Sequence, residues 1–253
     1  MILFLTSNTG HTVFQNGSYR LGPIYAENGL RDRLKALWPR EARMLLVASE
    51  PDDYAMSNML LDSTRDSLAA SGLPAKLTML DNRNAHLAPQ LVAESHVIQL
   101  CGGHVPTQLA FFREIGLGKL LQNHEGILIG VSAGSMNCAK TVYASPEREG
   151  EAIDPAYERY VEGLGLVELL FLPHFNDIPH LWVDGKRMMQ DIMLPDSYAV
   201  PFLTIPDGSY FLVENGKTSL YGEGYWVDQG EILRICSMGG SCPLKNGRPC
   251  HIM

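Results

Sequence analysis

The sequence lacks long apolar runs and has no surplus of basic charge. No stretch reaches the roughly 18 uninterrupted apolar residues that a membrane span needs. The amino-terminal segment MILFLTSNTGHTVF has no basic residue before its five-residue apolar run, so it predicts a first strand and not a signal peptide. Lysine and arginine total 20 against 28 aspartates and glutamates, and the net charge is −8, which argues against a nucleic-acid binder. We therefore expect neither a membrane nor a nucleic acid as a partner.

Motifs for disulfide frameworks, metals and nucleotides are also missing. The five cysteines are odd in number and form no Cys-x-x-Cys pair, which favours a reduced, cytoplasmic setting. There is no His-Glu-x-x-His motif, and the eight histidines lack the spacing of metal ligands. The pair Gly102-Gly103 does not extend to the G-x-G-x-x-G pattern of a nucleotide-binding turn. We expect no metal and no cofactor.

Short apolar runs alternate with longer amphipathic segments along the 253 residues. The runs predicted as strands are 2–5, 44–48, 77–80, 96–101, 127–131, 166–172 and 202–205. The segments predicted as helices are 27–38, 53–71, 105–115, 133–140 and 182–194. This alternation predicts an α/β fold of flavodoxin-like kind, a mostly parallel central sheet flanked by helices. After residue 198, an Asn-Gly pair at 215–216 predicts antiparallel strands near the carboxyl terminus. We expect a single domain over residues 1–253.

A serine lies between two glycines where a predicted strand meets a predicted helix. The stretch ILIGVSAGSMNCAK, residues 127–140, contains the pattern G-x-S-x-G with Ser132 at its centre. In this pattern a tight turn lifts the serine oxygen into the crevice at the carboxyl end of the strand. The alternative is a tight turn that the glycines make for packing alone. The strand before and the helix after favour Ser132 as a nucleophile, with the Ala133 N–H as an oxyanion donor.

Three further turns follow predicted strands and supply partners for such a nucleophile. His174, in LLFLPHFND, is a candidate general base, and Asp207, in LTIPDGSYF, is a candidate orienting acid. Pro-Asp-Gly is also an ordinary turn, so the role of Asp207 rests on its position after a strand. Gly102 and Gly103 end another strand, and glycines let a backbone amide approach a ligand closely. The polar segment 144–160 predicts a surface loop beside the site.

These four motifs, in this order, resemble the serine peptidases of the dipeptidase E (aspartyl dipeptidase) and cyanophycinase group. The matching stretches are CGGHVPTQLAFFREIGL (101–117), GVSAGS (130–135), LPHFND (172–177) and IPDGSYFLVENG (205–216). The resemblance covers roughly residues 40–225. It implies a fold like that of the class I glutamine amidotransferases and a cytoplasmic serine peptidase that hydrolyses small peptides through an acyl-enzyme.

Carried over residue by residue, the resemblance implies Ser132 as nucleophile, His174 as base and Asp207 as third member, with Gly103 and Ala133 as oxyanion donors. The chain departs from the family at two positions: dipeptidase E has a glutamate where Asp207 stands, and the Gly-Gly turn normally continues with asparagine where His104 stands. Specificity for an N-terminal aspartate calls for a basic residue at the pocket. The candidates for that residue are Arg113, Lys186 and Arg187.

Other interpretations of the same residues stay open. The α/β-hydrolase order of serine, acid, histidine would need Asp154 or Asp177, followed by His180 or His251. A serine esterase would share the nucleophile, and a non-catalytic small-molecule binding or regulatory protein would share the scaffold. A symmetric homodimer is the default expectation for the oligomeric state.

Overall fold

A nine-stranded sheet forms the centre of the protein in a computed structural model, which describes residues 1–15 and 18–250. The bounds of its strands are β1 Ile2–Thr6, β4 Ala42–Val47, β5 Ala75–Leu80, β6 Val97–Leu100, β7 Ile127–Val131, β14 Tyr210–Glu214, β15 Lys217–Tyr221, β18 Ser241–Lys245 and β19 Arg248–Pro249. The strand order is β19-β18-β15-β14-β1-β7-β6-β4-β5. The strands from β1 to β5 in this order are parallel, and the strands from β14 outward are antiparallel.

Helices cover both faces of the parallel strands. The bounds are α1 Leu30–Leu37, α2 Tyr54–Ser71, α3 Ala88–Glu94, α4 Val105–Glu114, α5 Leu117–Leu121, α6 Ala133–Met136 and α7 Leu194–Asp196. Successive residues of a strand point to opposite faces, so Leu45 packs with α4 and α5 while Met44 packs with α1 and α2. Burial on both faces explains why these strands appear in the sequence as continuous apolar runs. None of the helices in the described part of the chain has the length and hydrophobicity to cross a membrane.

A second sheet of four strands packs beside the first. Its strands are β10 Phe171–Leu172, β13 Phe202–Thr204, β16 Gly224–Asp228 and β17 Glu231–Cys236, in the order β10-β13-β16-β17. Strands β10 and β13 are parallel neighbours. Three hairpins complete the strands: β2 Gly10–Gln15 with β3 Ser18–Ile24, β8 Thr141–Tyr143 with β9 Tyr160–Glu162, and β11 Trp182–Val183 with β12 Lys186–Arg187. Both sheets share one cluster of buried apolar side chains. A single domain over residues 1–253 stays a prediction.

The predicted parallel sheet flanked by helices, with antiparallel strands near the carboxyl terminus, is confirmed. The predicted helix over 182–194 is wrong in its first half. Residues 182–187 form the hairpin β11–β12, because Asp184 and Gly185 both have positive φ (51° and 75°) and make its two-residue turn. Helical backbone starts only at the π-helix Met188–Met193. The predicted strand 166–172 shortens to β10, which belongs with β13 to the smaller sheet.

Candidate active site

Ser132 lies on a strained turn between β7 and α6. Its backbone angles are φ 49° and ψ −115°, a conformation that costs a non-glycine residue on the order of 1–3 kcal/mol. The two flanking glycines are required by space: a Cβ on Gly130 would lie 2.6 Å from Ser135 Cα, and one on Gly134 would lie 2.6 Å from the carbonyl carbon of Leu100. The pattern G-x-S-x-G therefore reflects close packing of the strand, the turn and the helix at this point.

The neighbouring strand β1 holds this turn in place. The Ser132 N–H donates a hydrogen bond of 3.0 Å to the carbonyl oxygen of Thr6. Thr6 Oγ1 donates to the Gly130 carbonyl at 2.8 Å, and Ser135 Oγ donates to the Thr6 carbonyl at 2.8 Å. These bonds fix the backbone of the turn and leave the Ser132 hydroxyl directed at His174.

The structure brings Ser132, His174 and Asp207 into one hydrogen-bonded chain. Ser132 Oγ lies 2.9 Å from His174 Nε2, and His174 Nδ1 lies 2.9 Å from Asp207 Oδ1. The base and the acid meet because each follows one of two adjacent parallel strands, β10 and β13, in which Leu172 pairs with Thr204. His174 itself has a positive φ of 58°, which turns its ring out of the strand direction. The arrangement suits proton transfer from a serine hydroxyl to an imidazole.

Ser7, a residue with no motif around it in the sequence, completes this hydrogen-bond network. It is fully buried at the carboxyl end of β1. Its hydroxyl donates a hydrogen bond to Asp207 Oδ1 and accepts one of 3.0 Å from the His174 N–H. The available signal was its place after the strand Ile2–Thr6, but the sequence does not show that this strand lies next to β7.

The ionisation of Asp207 is favoured by its partners. Burial by itself would raise the pKa of its carboxyl, but the hydrogen bond and positive charge of His174, with hydrogen bonds from Ser7 and Asn8, outweigh burial and lower the pKa below 3.8. A carboxylate at this place accepts the Nδ1–H of His174 and leaves Nε2 free to accept a proton from Ser132.

The predicted oxyanion donors lie near Ser132: Ala133 follows it in the chain, and Gly103 lines the same cavity. Ala133 begins α6, and its N–H makes no hydrogen bond to any residue that the structure describes; the same holds for the Gly103 N–H. A Cβ on Gly102 would lie 3.3 Å from Ser132 Cβ, so this turn passes close to the serine. A Cβ on Gly103 would overlap the side chain of Ser49. Unpaired amides beside a serine are what an oxyanion site requires, so the role of these two N–H groups stays a prediction.

His104, the departure from the family pattern, contacts the loop 144–160. Its Nε2 lies 2.8 Å from Glu151 Oε1, and its Nδ1 lies 2.7 Å from Thr107 Oγ1. The other oxygen of Glu151 accepts the N–H groups of Glu147 and Arg148 at 2.8 and 2.9 Å. The hydrogen bond between His104 and Glu151 therefore ties the loop 144–160 to the Gly102-Gly103 turn.

A cavity of about 410 Å³ opens beside Ser132 and His174. The loop 144–160 and the hairpin β11–β12 form part of its wall, and they are joined by Asp184, whose carboxylate accepts the N–H groups of Gly150 and Ala152 at 2.8 and 2.9 Å. Most of the wall is apolar, with contributions from Met136, Leu172, Ile178, Leu181, Val183 and Met188. Glu147 lines the same cavity.

The basic residues proposed for binding an N-terminal aspartate do not line this cavity. Arg113 donates to the Glu162 carbonyl at 2.7 Å, and Lys186 donates to the Ala152 carbonyl at 2.9 Å. Arg187 forms a two-pronged ion pair with Asp191, with distances of 2.9 and 2.7 Å. All three cations are engaged elsewhere.

The α/β-hydrolase assignment finds no support in the geometry around the serine. His180 is exposed and does not line the cavity, whereas His174 contacts Ser132 directly. His251 lies outside the described residues. In the described ranges, no group of three or more His, Cys, Asp or Glu side chains is placed to hold a metal ion. A larger cavity of about 740 Å³ lies at the amino ends of β1 and β7, and none of Ser132, His174 and Asp207 lines it.

Comparisons with known proteins identify the class to which this fold and site belong. The family model of Peptidase family S51 matches residues 47–221, which is more than half of the 253 residues. The chain therefore belongs to Peptidase family S51 and is a serine-type peptidase.

Two solved structures share the fold. One is a peptidase from an acI-B1 Actinobacterium, with a TM-score of 0.62, 16% identity and 96% of each chain covered. The other is described as a "putative peptidase E protein" from Listeria monocytogenes EGD-e, with a TM-score of 0.53 and 16% identity, covering 92% of this chain and 96% of that one. A comparison with curated proteins gives no match.

Proposed function

We propose that this peptidase hydrolyses small peptides through an acyl-enzyme formed on Ser132, with His174 as the base and Asp207 as the orienting acid. The observation that carries the proposal is the continuous chain of hydrogen bonds from Ser132 Oγ through His174 to Asp207, 2.9 Å at each step. A side-chain hydroxyl in contact with an oriented imidazole is the arrangement of an activated nucleophile.

The chemistry follows from this geometry. His174 Nε2 removes the hydroxyl proton as Ser132 Oγ attacks the scissile carbonyl carbon, and the oxygen of that carbonyl becomes negative. The N–H groups of Gly103 and Ala133 receive this charge. The intermediate collapses with loss of the amine, to which His174 returns the proton. A water molecule then attacks the acyl-enzyme with His174 again as base, which releases the acid and restores the serine.

The size of the cavity supports a short substrate. A volume of about 410 Å³, walled by the loop 144–160 and the hairpin β11–β12, leaves room for a few residues on the side of Ser132. Esters would react by the same steps, so an esterase would differ only in failing to cleave amides. A cytoplasmic location and a homodimer are part of this proposal as expectations from the sequence.

Labelling with a fluorophosphonate serine probe tests the nucleophile. We expect the wild-type protein to be labelled, the Ser132→Ala variant not to be labelled, and the His174→Ala variant to react much more slowly. Hydrolysis of a dipeptide library, followed by release of free amino groups, tests the peptide substrate. Folded wild-type protein that takes no label and cleaves no peptide would overturn the proposal.

A further inference from the structure

One carboxylate stands at the open side of the otherwise apolar cavity beside Ser132. Glu147 lines this cavity, and its carboxylate makes no hydrogen bond or ion pair with any residue in the described ranges. Among the described residues that line the cavity, none is a lysine or an arginine. The cavity therefore presents one carboxylate and mostly apolar walls beside Ser132.

The backbone of Glu147 is anchored to the turn that carries Gly103. Its N–H is bonded to Glu151 Oε2 at 2.8 Å, and Glu151 is in turn fixed by His104, next to Gly103. Glu147 lines the same cavity as His174 and Ser132. A carboxylate positioned in this way can bind a cation carried by the substrate near its scissile carbonyl.

We infer that the site takes peptides whose N-terminal residue is apolar and uncharged, with the free α-ammonium group bound by Glu147 and the side chain in the apolar part of the cavity. This inference rests on the proposed function, because it assigns the acyl-side specificity of the same serine. The α-amino group is attached to the carbon next to the scissile carbonyl, and Glu147 lines the same cavity as Ser132, the residue that attacks that carbonyl.

The charges of the cavity argue against the two charged alternatives. An N-terminal aspartate would bring its carboxylate toward Glu147 without a cation to pair with it, and burying an unpaired charge is costly. A lysine side chain would place its long aliphatic part and its ammonium along walls formed by Leu172, Ile178 and Met188, where no second carboxylate lines the cavity in the described ranges. An aliphatic side chain fits these walls, because burial of apolar surface is favourable.

Aminocoumarin amides of single amino acids separate these cases. The test compares leucyl, aspartyl, lysyl and N-acetyl-leucyl amides with wild-type protein, with Glu147→Gln, and with Glu149→Gln as a matched control on an exposed neighbour in the same loop. We expect kcat/KM for the leucyl amide to exceed that for its acetylated form by about tenfold to a hundredfold, the usual effect of one charged hydrogen bond. Glu147→Gln should remove most of this preference, and Glu149→Gln should leave it unchanged.

Fluorophosphonate labelling in the same samples separates this inference from the proposed function. Labelled protein that cleaves acetylated and free leucyl amides equally well would overturn the inference and leave the proposed function intact. A preference for the aspartyl amide, or a preference for the lysyl amide that depends on Glu147, would overturn the inference in the same way. Loss of labelling together with loss of all cleavage would overturn both.

Discussion

The hydroxyl of Ser7 donates a hydrogen bond to Asp207 Oδ1, the same carboxylate oxygen that lies 2.9 Å from His174 Nδ1. Ser7 Oγ also accepts the backbone N–H of His174 at 3.0 Å. One buried side chain thus fixes the acid and the backbone of the base together. Ser7 does not line the cavity beside Ser132, and its side-chain hydrogen bonds go to His174 and Asp207, so we expect it to act as a positioning residue.

Replacing Ser7 with alanine should lower kcat and leave KM nearly unchanged. The loss of the hydrogen bond to the ionised Asp207 carboxylate amounts to about a tenfold to hundredfold decrease in kcat. The kcat of Ser7→Cys, which keeps a weaker donor, should lie between those of the wild type and Ser7→Ala. Steady-state kinetics on one peptide amide is the measurement. Ser71→Ala removes a comparably buried hydroxyl from α2 and is the control for lost stability. Equal effects of Ser7→Ala and Ser71→Ala on kcat would contradict the positioning role.

Asp207→Asn should decrease kcat by about 10³- to 10⁴-fold, because an amide in this place favours the wrong tautomer of the imidazole. The same substitution should change stability against acid. Because the pKa of Asp207 is lowered on folding, its ionisation stabilises the folded protein above pH 3.8. This contribution is lost as the pH falls through the pKa of the folded protein. Urea unfolding should be measured from neutral pH to below pH 3.8. Over this range the free energy of unfolding should decrease less in Asp207→Asn than in the wild type. Identical acid dependence in the two proteins would show that Asp207 is not held as a carboxylate.

The preference for a free amino group should depend on pH through Glu147. Partial removal from water raises the pKa of Glu147 to about 7, and Glu151 and Glu50 add to this, while His174 and Arg148 oppose it. Below about 7 the carboxyl is protonated and cannot bind an ammonium ion strongly. The ratio of kcat/KM for leucyl and acetyl-leucyl amides should therefore rise as the pH increases through 7.

This ratio has a second limb and an internal control. It should fall again where the substrate amine loses its proton, near 8. Both substrates react through Ser132 and His174, so any pH dependence that arises from these two residues cancels in the ratio. In Glu147→Gln the ratio should lose the rising limb. A rising limb that survives in that variant would assign it to another group.

Gly103→Ala should damage the oxyanion turn. A Cβ at this position would lie 2.5 Å from Ser49 Cβ, so the turn must move and its N–H moves with it. We expect kcat to fall by about 10²- to 10³-fold, the effect of losing one oxyanion donor. Gly116→Ala is the control, because that glycine has a positive φ of 65° but no atom lies within 4 Å of the position its Cβ would take.

A second substitution makes this prediction sharper. Ser49→Gly removes the atoms that the new methyl group would meet, so the double variant should recover much of the lost kcat. Failure of Ser49→Gly to restore any activity, in a double variant that folds, would mean that the overlap is not the cause of the loss.

The sequence predicted the parts of the site that are encoded locally. Ser132, His174 and Asp207 each follow a short apolar run at a turn, and such a turn can be recognised without knowing which strands are neighbours. The hairpin β11–β12 is also encoded locally, by Asp184-Gly185 between Trp182-Val183 and Lys186-Arg187, although the segment was predicted as a helix. An Asp-Gly pair is a strong hairpin signal and should outweigh a weak helical pattern.

The parts that were missed depend on strand neighbours far apart in the chain. Ser7 and Asp207 are separated by 200 positions, and nothing near either residue specifies the other. In the same way, the runs that became β10 and β13 look like any other buried strands, so their place in a second sheet could not be foreseen. The contact between His104 and Glu151 spans 47 positions and depends on the path of the loop 144–160.

The two sheets divide the reacting groups between them. Ser132 follows β7 of the larger sheet, whereas His174 and Asp207 follow β10 and β13 of the smaller one. The Ser132–His174 hydrogen bond therefore crosses the seam, the boundary between the two sheets. Its length depends on how the two sheets pack against each other. Phe171 of β10 packs against Phe211 of β14 across that seam, with ring centroids 5.0 Å apart. The rate of acylation should therefore depend on how the two sheets are aligned. The contact between Phe171 and Phe211 helps to set that alignment.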